Sequence, residues 1–206
     1  MPLPPPVPRE QLHTRSDVYR GYERADGLWE IEAELTDTKT YPIGMFERGE
    51  LPPGTPIHHM TVRVAVDDDF VVREIATSMD HTPLAECQQA VPPMQGVLGA
   101  TLGRGWRQAV DRALAGVKGC THLRELMVNL ATAAWQTIPA GQQRRRGGGR
   151  IPDSPGGQPP FHLGRCITWD VDGPVVARHY PQFVGWEPLK RKDPPRQPAT
   201  DDAPQA

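Results

Sequence analysis

A thiol and an imidazole two residues apart, Cys120 and His122, sit in the block Gly119-Cys120-Thr121-His122-Leu123, which opens the longest helical pattern of the chain. Unpaired backbone N–H groups and the helix dipole at such a position favour the thiolate, the form of cysteine that attacks electrophiles and binds metals. On regular helix geometry Cys120 shares a face with Leu123, Met127 and Leu130, while His122 stands about 200° round from it. One metal ion reaches both only if the first turn is irregular. The plain alternative is a buried, inert cysteine beside a surface histidine.

Two earlier features could complete a site. His58-His59 follows Gly54-Thr55-Pro56-Ile57 and opens a β-pattern. Adjacent strand residues point to opposite faces, and His58 shares its face with the apolar Met60, so His58 is the better ligand candidate. Cys87 follows Pro83 at the start of a short helix and is a second candidate thiol, while Cys166 lies far along the chain. No Cys-x-x-Cys pair occurs, which removes the most specific zinc signature. Gly96, Gly99, Gly103 and Gly105 follow no strand and form no dinucleotide fingerprint, and neither a phosphate-binding Gly-x-x-x-x-Gly-Lys nor a Gly-x-Ser-x-Gly motif is present. Asp67-Asp68-Asp69 reads as an acidic hairpin turn before a calcium loop. Arg24 and Asp26 read as a pair that fixes the start of the first strand.

The elements that must position these residues follow from periodicity. Trp29, Ile31, Ala33 and Leu35 alternate with Glu30, Glu32 and Glu34, the pattern of a strand with one wet face. Residues 37–55 are rich in Pro and Gly and predict a long turn-rich connection. Met60, Val62, Val64 and Val66 mark a second strand, and Phe70 to Ala76 a third after the Asp turn. Leu12 to Asp26 is polar and mixed, with Tyr19 and Tyr22 as anchors. Trp106, Val110 and Leu114 predict a modest helix. Leu123, Leu126, Met127, Leu130, Ala134 and Ile138 predict a stronger one that stops near Pro139. Asp172-Gly173 between two β-rich runs predicts a C-terminal hairpin. The expected fold class is α+β: a three-stranded antiparallel sheet covered on one face by helices. The expected divisions are a Pro-rich arm (1–11), a core domain (12–139), a flexible Gly/Arg/Pro linker (140–160), the hairpin segment (161–186) and a disordered tail (187–206).

Composition sets bounds. Among 206 residues there are 24 prolines and 20 glycines, clustered toward the ends and in the linker, and such stretches bury too little apolar surface to order themselves. The net charge of −2 gives no electrostatic case for nucleic acid. No apolar run approaches the roughly 18 residues of a membrane span, and no secretory signal is visible. Three widely spaced cysteines argue against a disulfide framework and for a reducing cytoplasm.

Arg24-Ala25-Asp26-Gly27-Leu28-Trp29, Asp37 with Lys39, Gly54-Thr55-Pro56-Ile57-His58, Pro83 with Cys87, and the Gly-Cys-Thr-His-Leu block together resemble a bacterial family of uncharacterised proteins, over roughly residues 12–138 and again from Cys166 to Pro181. That resemblance assigns no activity. More distantly, the order of elements resembles the SufE/NifU-type iron–sulfur scaffold and sulfur-acceptor proteins. It implies a zinc or iron–sulfur site built from His58, Cys87 and Cys120, with His59 or His122 as fourth ligand. The chain departs from that group by a histidine in place of the first cysteine, by different surroundings of Cys87, and by a longer loop before the last helix. An imidazole in place of a thiolate shifts preference toward zinc or a mononuclear iron. The leading expectation is a cytoplasmic metal- or iron–sulfur-binding accessory protein. The alternatives are a cysteine-dependent enzyme or sulfur/acyl acceptor using Cys120 or Cys87, and a non-catalytic module whose Pro-rich arms recruit a protein partner.

Overall fold

The structure, a computed structural model, describes residues 3–147, 159–160 and 162–187. It is α+β, with a four-stranded antiparallel sheet in the order β1 (His13–Glu23), β2 (Trp29–Lys39), β5 (His58–Val66), β6 (Val72–His81). A separate two-stranded ribbon, β3 (Ile43–Met45) with β4 (Gly49–Leu51), lies within the β2–β5 connection. The expected three strands are β2, β5 and β6. The fourth, β1, occupies the segment that read as polar and mixed. It has no apolar alternation because it is an edge strand, exposed along nearly its whole length, and it is specified instead by full register with β2 from His13↔Lys39 to Glu23↔Trp29. The Arg24–Leu28 turn joins them, with Gly27 at φ 90° and Arg24 hydrogen-bonded through Nη2 to Asp26 at 2.6 Å.

One face of the sheet carries the core. Trp29, Ile31, Ala33 and Leu35 of β2 meet Met60, Val62, Val64 and Val66 of β5, all fully or almost fully buried. Helices α1 (Trp106–Leu114) and α2 (Thr121–Arg145) cover that face. Trp106 Nε1 donates to the Met127 carbonyl at 2.7 Å and joins the two helices where both are dry. Gly21 lets Thr137 of α2 approach β1 into space that a Cβ would occupy.

Helix α2 runs through Pro139 to Arg145, six residues past the expected stop. An interior proline costs a helix about 3 kcal/mol. Tertiary packing outweighs it: Ile138 is fully buried, Gly141 lies against the Trp29 ring, and the Arg145 guanidinium sits 4.0 Å over that ring. Burying one large aliphatic side chain alone is worth about 2 kcal/mol. Cys87 lies in a 3-10 segment, Ala85–Ala90, followed by a second one over Pro92–Val97.

The chain divides into two compact units, Met1–Gly149 and Arg150–Ala206. In the second, the expected hairpin is absent from the described residues. Ile167–Trp169 is a 3-10 turn and Pro174–His179 forms a short helix, α3. Pro174 explains the difference: it has no N–H for a ladder, while its fixed φ suits the first turn of a helix. Leu163, Val176, Tyr180 and Phe183 form a small core of their own. Most of the expected linker (148–158) and nearly all of the tail (188–206) lie outside the described residues.

Candidate functional site

The β2 alternation does not end at Leu35. Two residues further, Asp37 stands on the same inward face, only 3% exposed, and it is the one buried charged residue among those described. A carboxylate there must be neutralised or hydrogen-bonded, and four side chains from three elements supply partners. From β1, Arg15 donates Nε to Oδ1 at 2.9 Å and Nη2 to Oδ2 at 2.8 Å. Also from β1, His13 Nε2 lies 2.8 Å from Oδ1. From β5, His58 Nδ1 lies 3.1 Å from Oδ2. From the start of α2, His122 Nε2 lies 3.7 Å from the same oxygen.

The two inner histidines also touch each other, with ring centroids 4.0 Å apart. Asp37, His58 and His122 are the one group of three metal-ligating side chains among the described residues whose donor atoms all lie within 4.8 Å of one another. Donors on a tetrahedral metal with bonds of 2.0–2.1 Å stand about 3.3 Å apart. The 3.1 and 3.7 Å spacings around Asp37 Oδ2 bracket that value.

The electrostatics keep the three groups in ligating forms. Burial alone would push the Asp37 carboxyl up, but hydrogen bonds from Arg15 and His13 overcome it and bring its pKa down to about 2. Desolvation lowers the pKa of His58, with His122 beside it acting in the same direction. Desolvation, then the Arg15 charge, lowers that of His122. An ionised carboxylate and two neutral imidazoles result at neutral pH.

The residues expected at the site are therefore partly gathered. His58 lies on the face its spacing with Met60 implies. His122, set aside by helix geometry, belongs to the group. Cys120 is the reason: it is the N-cap, with extended φ −104° and ψ 134°, so the helical 100° step does not apply across it. Its Sγ lies 3.7 Å from His122 Nδ1, on the side of that ring away from Asp37. Cys87 is not in the group; partly buried, it packs against the core from its 3-10 segment. His59 points to the opposite face of the sheet, with Nε2 3.1 Å from Glu34 Oε1. Cys166 is exposed in the second unit. Asp37, Arg15 and His13 belong to no ligand motif in the sequence, although carrying the β2 alternation one step past Leu35 reaches Asp37.

A family model described as "Protein of unknown function (DUF2889)" matches residues 13–136, a stretch that contains His13, Arg15, Asp37, His58, Cys120 and His122. No curated protein and no solved structure matches the chain. Among the described residues no helix is long and apolar enough to cross a membrane.

Proposed function

We propose that this chain, which belongs to the DUF2889 family, is an accessory protein that binds a single divalent transition metal through Asp37 Oδ2, His58 Nδ1 and His122 Nε2. The observation that carries the reading is the convergence of these three donors, from β2, β5 and α2, at metal-ligand spacing. Two imidazoles and one carboxylate suit zinc or ferrous iron and leave positions open for water or substrate. An iron–sulfur cluster needs several thiolates, and Cys120 is the sole cysteine beside the group, so a mononuclear centre is the better reading. His122 also has the second partner that ligating histidines use to fix their orientation: with Nδ1–H donated to the Cys120 sulfur, the Nε2 lone pair faces Asp37 and His58.

The test is metal analysis of the protein purified without chelator, beside Asp37→Asn and His58→Ala/His122→Ala variants. About one equivalent of zinc or iron in the wild type, lost in the variants, supports the reading. A metal-free wild type that also takes up no zinc or cobalt in titration overturns it.

One observation favours a second reading, a thiol nucleophile. In the other His122 tautomer, Nε2–H is donated toward Asp37 and Nδ1 is the base for Cys120, the N-cap of a 25-residue helix, whose sulfur makes no capping bond to the helix backbone. This arrangement would attack an electrophilic acyl or persulfide sulfur, as the SufE-type resemblance suggests. The two readings require opposite tautomers of one ring. Alkylation of Cys120 in the metal-free protein separates them: a nucleophile reacts fastest with His122 intact and slows in His122→Ala.

A further inference from the structure

We infer that Arg15 is the counter-cation of Asp37, that a metal must displace it from that carboxylate, and that this exchange sets which metals the site admits. The inference rests on the metal reading proposed above. In the structure both oxygens of Asp37 are taken: the Arg15 fork spans Oδ1 and Oδ2, with His13 on Oδ1 and His58 on Oδ2. The oxygen that would bind a metal together with His58 and His122 is the one that accepts Arg15 Nη2 at 2.8 Å. Two cations on one buried oxygen repel strongly. Metal entry therefore requires the guanidinium to leave Oδ2.

Arg15 has somewhere to go. Its third nitrogen, Nη1, already bonds Glu125 Oε2 of α2 at 3.1 Å, and Glu125 is about half exposed. Asp17, two residues along β1, adds a further attraction. A small swing toward Glu125 frees Oδ2 while His13 continues to hold Oδ1.

The exchange discriminates by chemistry. Magnesium and calcium require six or more oxygen ligands, and this site offers one carboxylate, so they gain too little to displace a bidentate arginine. Zinc, ferrous iron, cobalt and nickel gain two imidazole bonds as well. Arg15 thus acts as a specificity-determining residue without being a ligand.

The test titrates cobalt(II), followed by its visible absorption, and zinc by competition, into full-length wild type, Arg15→Gln and Glu125→Gln, each first shown to be folded by circular dichroism. The expected result has opposite signs. Arg15→Gln binds both metals at least roughly tenfold more tightly because the competing cation is gone. Glu125→Gln binds them roughly two- to fivefold more weakly because Arg15 has lost its exposed receiving partner. Equal or weaker binding by Arg15→Gln, or unchanged or tighter binding by Glu125→Gln, overturns the exchange. If Arg15→Gln does not fold, Glu125→Gln decides alone. A wild type that binds neither metal overturns the metal reading as well, whereas one that binds with the wrong order of affinities overturns only the exchange.

Discussion

Asp37 and His58 face one another across β2 and β5 as register partners, and their side chains meet on the core face with Oδ2 and Nδ1 3.1 Å apart. Everything else in the site is added to that pair. β1 brings two donors to one side of the carboxylate, and the start of α2 lowers a second imidazole onto His58.

The carboxylate is expected to be a stability element even in metal-free protein. Breaking a buried ion pair costs roughly 3–5 kcal/mol, less where one partner is part-exposed as Arg15 is. Asp37→Ala is expected to lose about 2–3 kcal/mol in urea unfolding, and Asp37→Asn less, since the amide oxygen still accepts from Arg15. A loss below about 0.5 kcal/mol for the alanine variant would show that the network contributes nothing net.

Acid should unfold the protein in two recognisable stages. His58 and His122 have folded pKa values below the ordinary 6.5. Their contribution is complete above that value and is lost as pH falls through the lowered values, as the unfolded chain takes up protons first. Asp37, lowered from 3.8 to about 2, adds about 2 kcal/mol that is intact above pH 4 and disappears between there and pH 2. Stability measured from pH 8 to pH 5 should fall in the wild type and fall less in His58→Gln/His122→Gln. An identical slope in both proteins refutes the assignment to these rings.

Metal should couple to stability through the same residues. Zinc at a hundred times its dissociation constant should add about 2.7 kcal/mol to the unfolding free energy, since the unfolded chain has no assembled site. A chelator should reverse the gain. Neither effect should survive in His58→Ala/His122→Ala, and thermal melts with and without zinc read all three.

Cys120→Ala should weaken zinc binding by roughly tenfold to a hundredfold, the usual cost of removing an outer partner of a ligating histidine, while Cys87→Ala leaves it unchanged. Equal losses in the two variants would mean that the cysteines act through the fold and not through His122.

Gly141→Ala should be destabilising by about 1–3 kcal/mol, although alanine is normally the better helix residue by about 1 kcal/mol. The added Cβ would overlap the Trp29 ring, against which α2 continues past Pro139. Denaturant unfolding checks the sign.

Periodicity made β2, β5 and both long helices of the first unit legible, because each buries one regular apolar face, whereas β6, which buries only Val72 and Met79, was legible in part, from the β-rich run up to Ala76. β1 was not legible, since a polar edge strand leaves no pattern and is fixed by its neighbour's register. The end of α2 was misjudged because Pro139 is a local signal, whereas the contacts of Ile138, Gly141 and Arg145 with the sheet are not. The C-terminal Asp172-Gly173 turn signal gave way to Pro174 at the start of α3. At the site, His58 was legible from its strand parity. His122 was not, because an extended Cys120 shifts the phase from which a helix must be counted. Asp37 sat among turn-forming residues and looked like part of a loop.

The separation of the site's parts along the chain has a consequence for synthesis. Arg15 and Asp37 are 22 residues apart on neighbouring strands of one hairpin, whereas Arg15 and Glu125 are 110 apart. At ordinary translation rates the ribosome makes Asp37 on the order of ten seconds before His122 and Glu125. Throughout that interval the arginine that pairs with Asp37 is already made, whereas neither of the α2 groups is. The Asp37–Arg15 pair needs only the β1–β2 hairpin, whereas the approach of His122 to Asp37 needs the chain as far as α2.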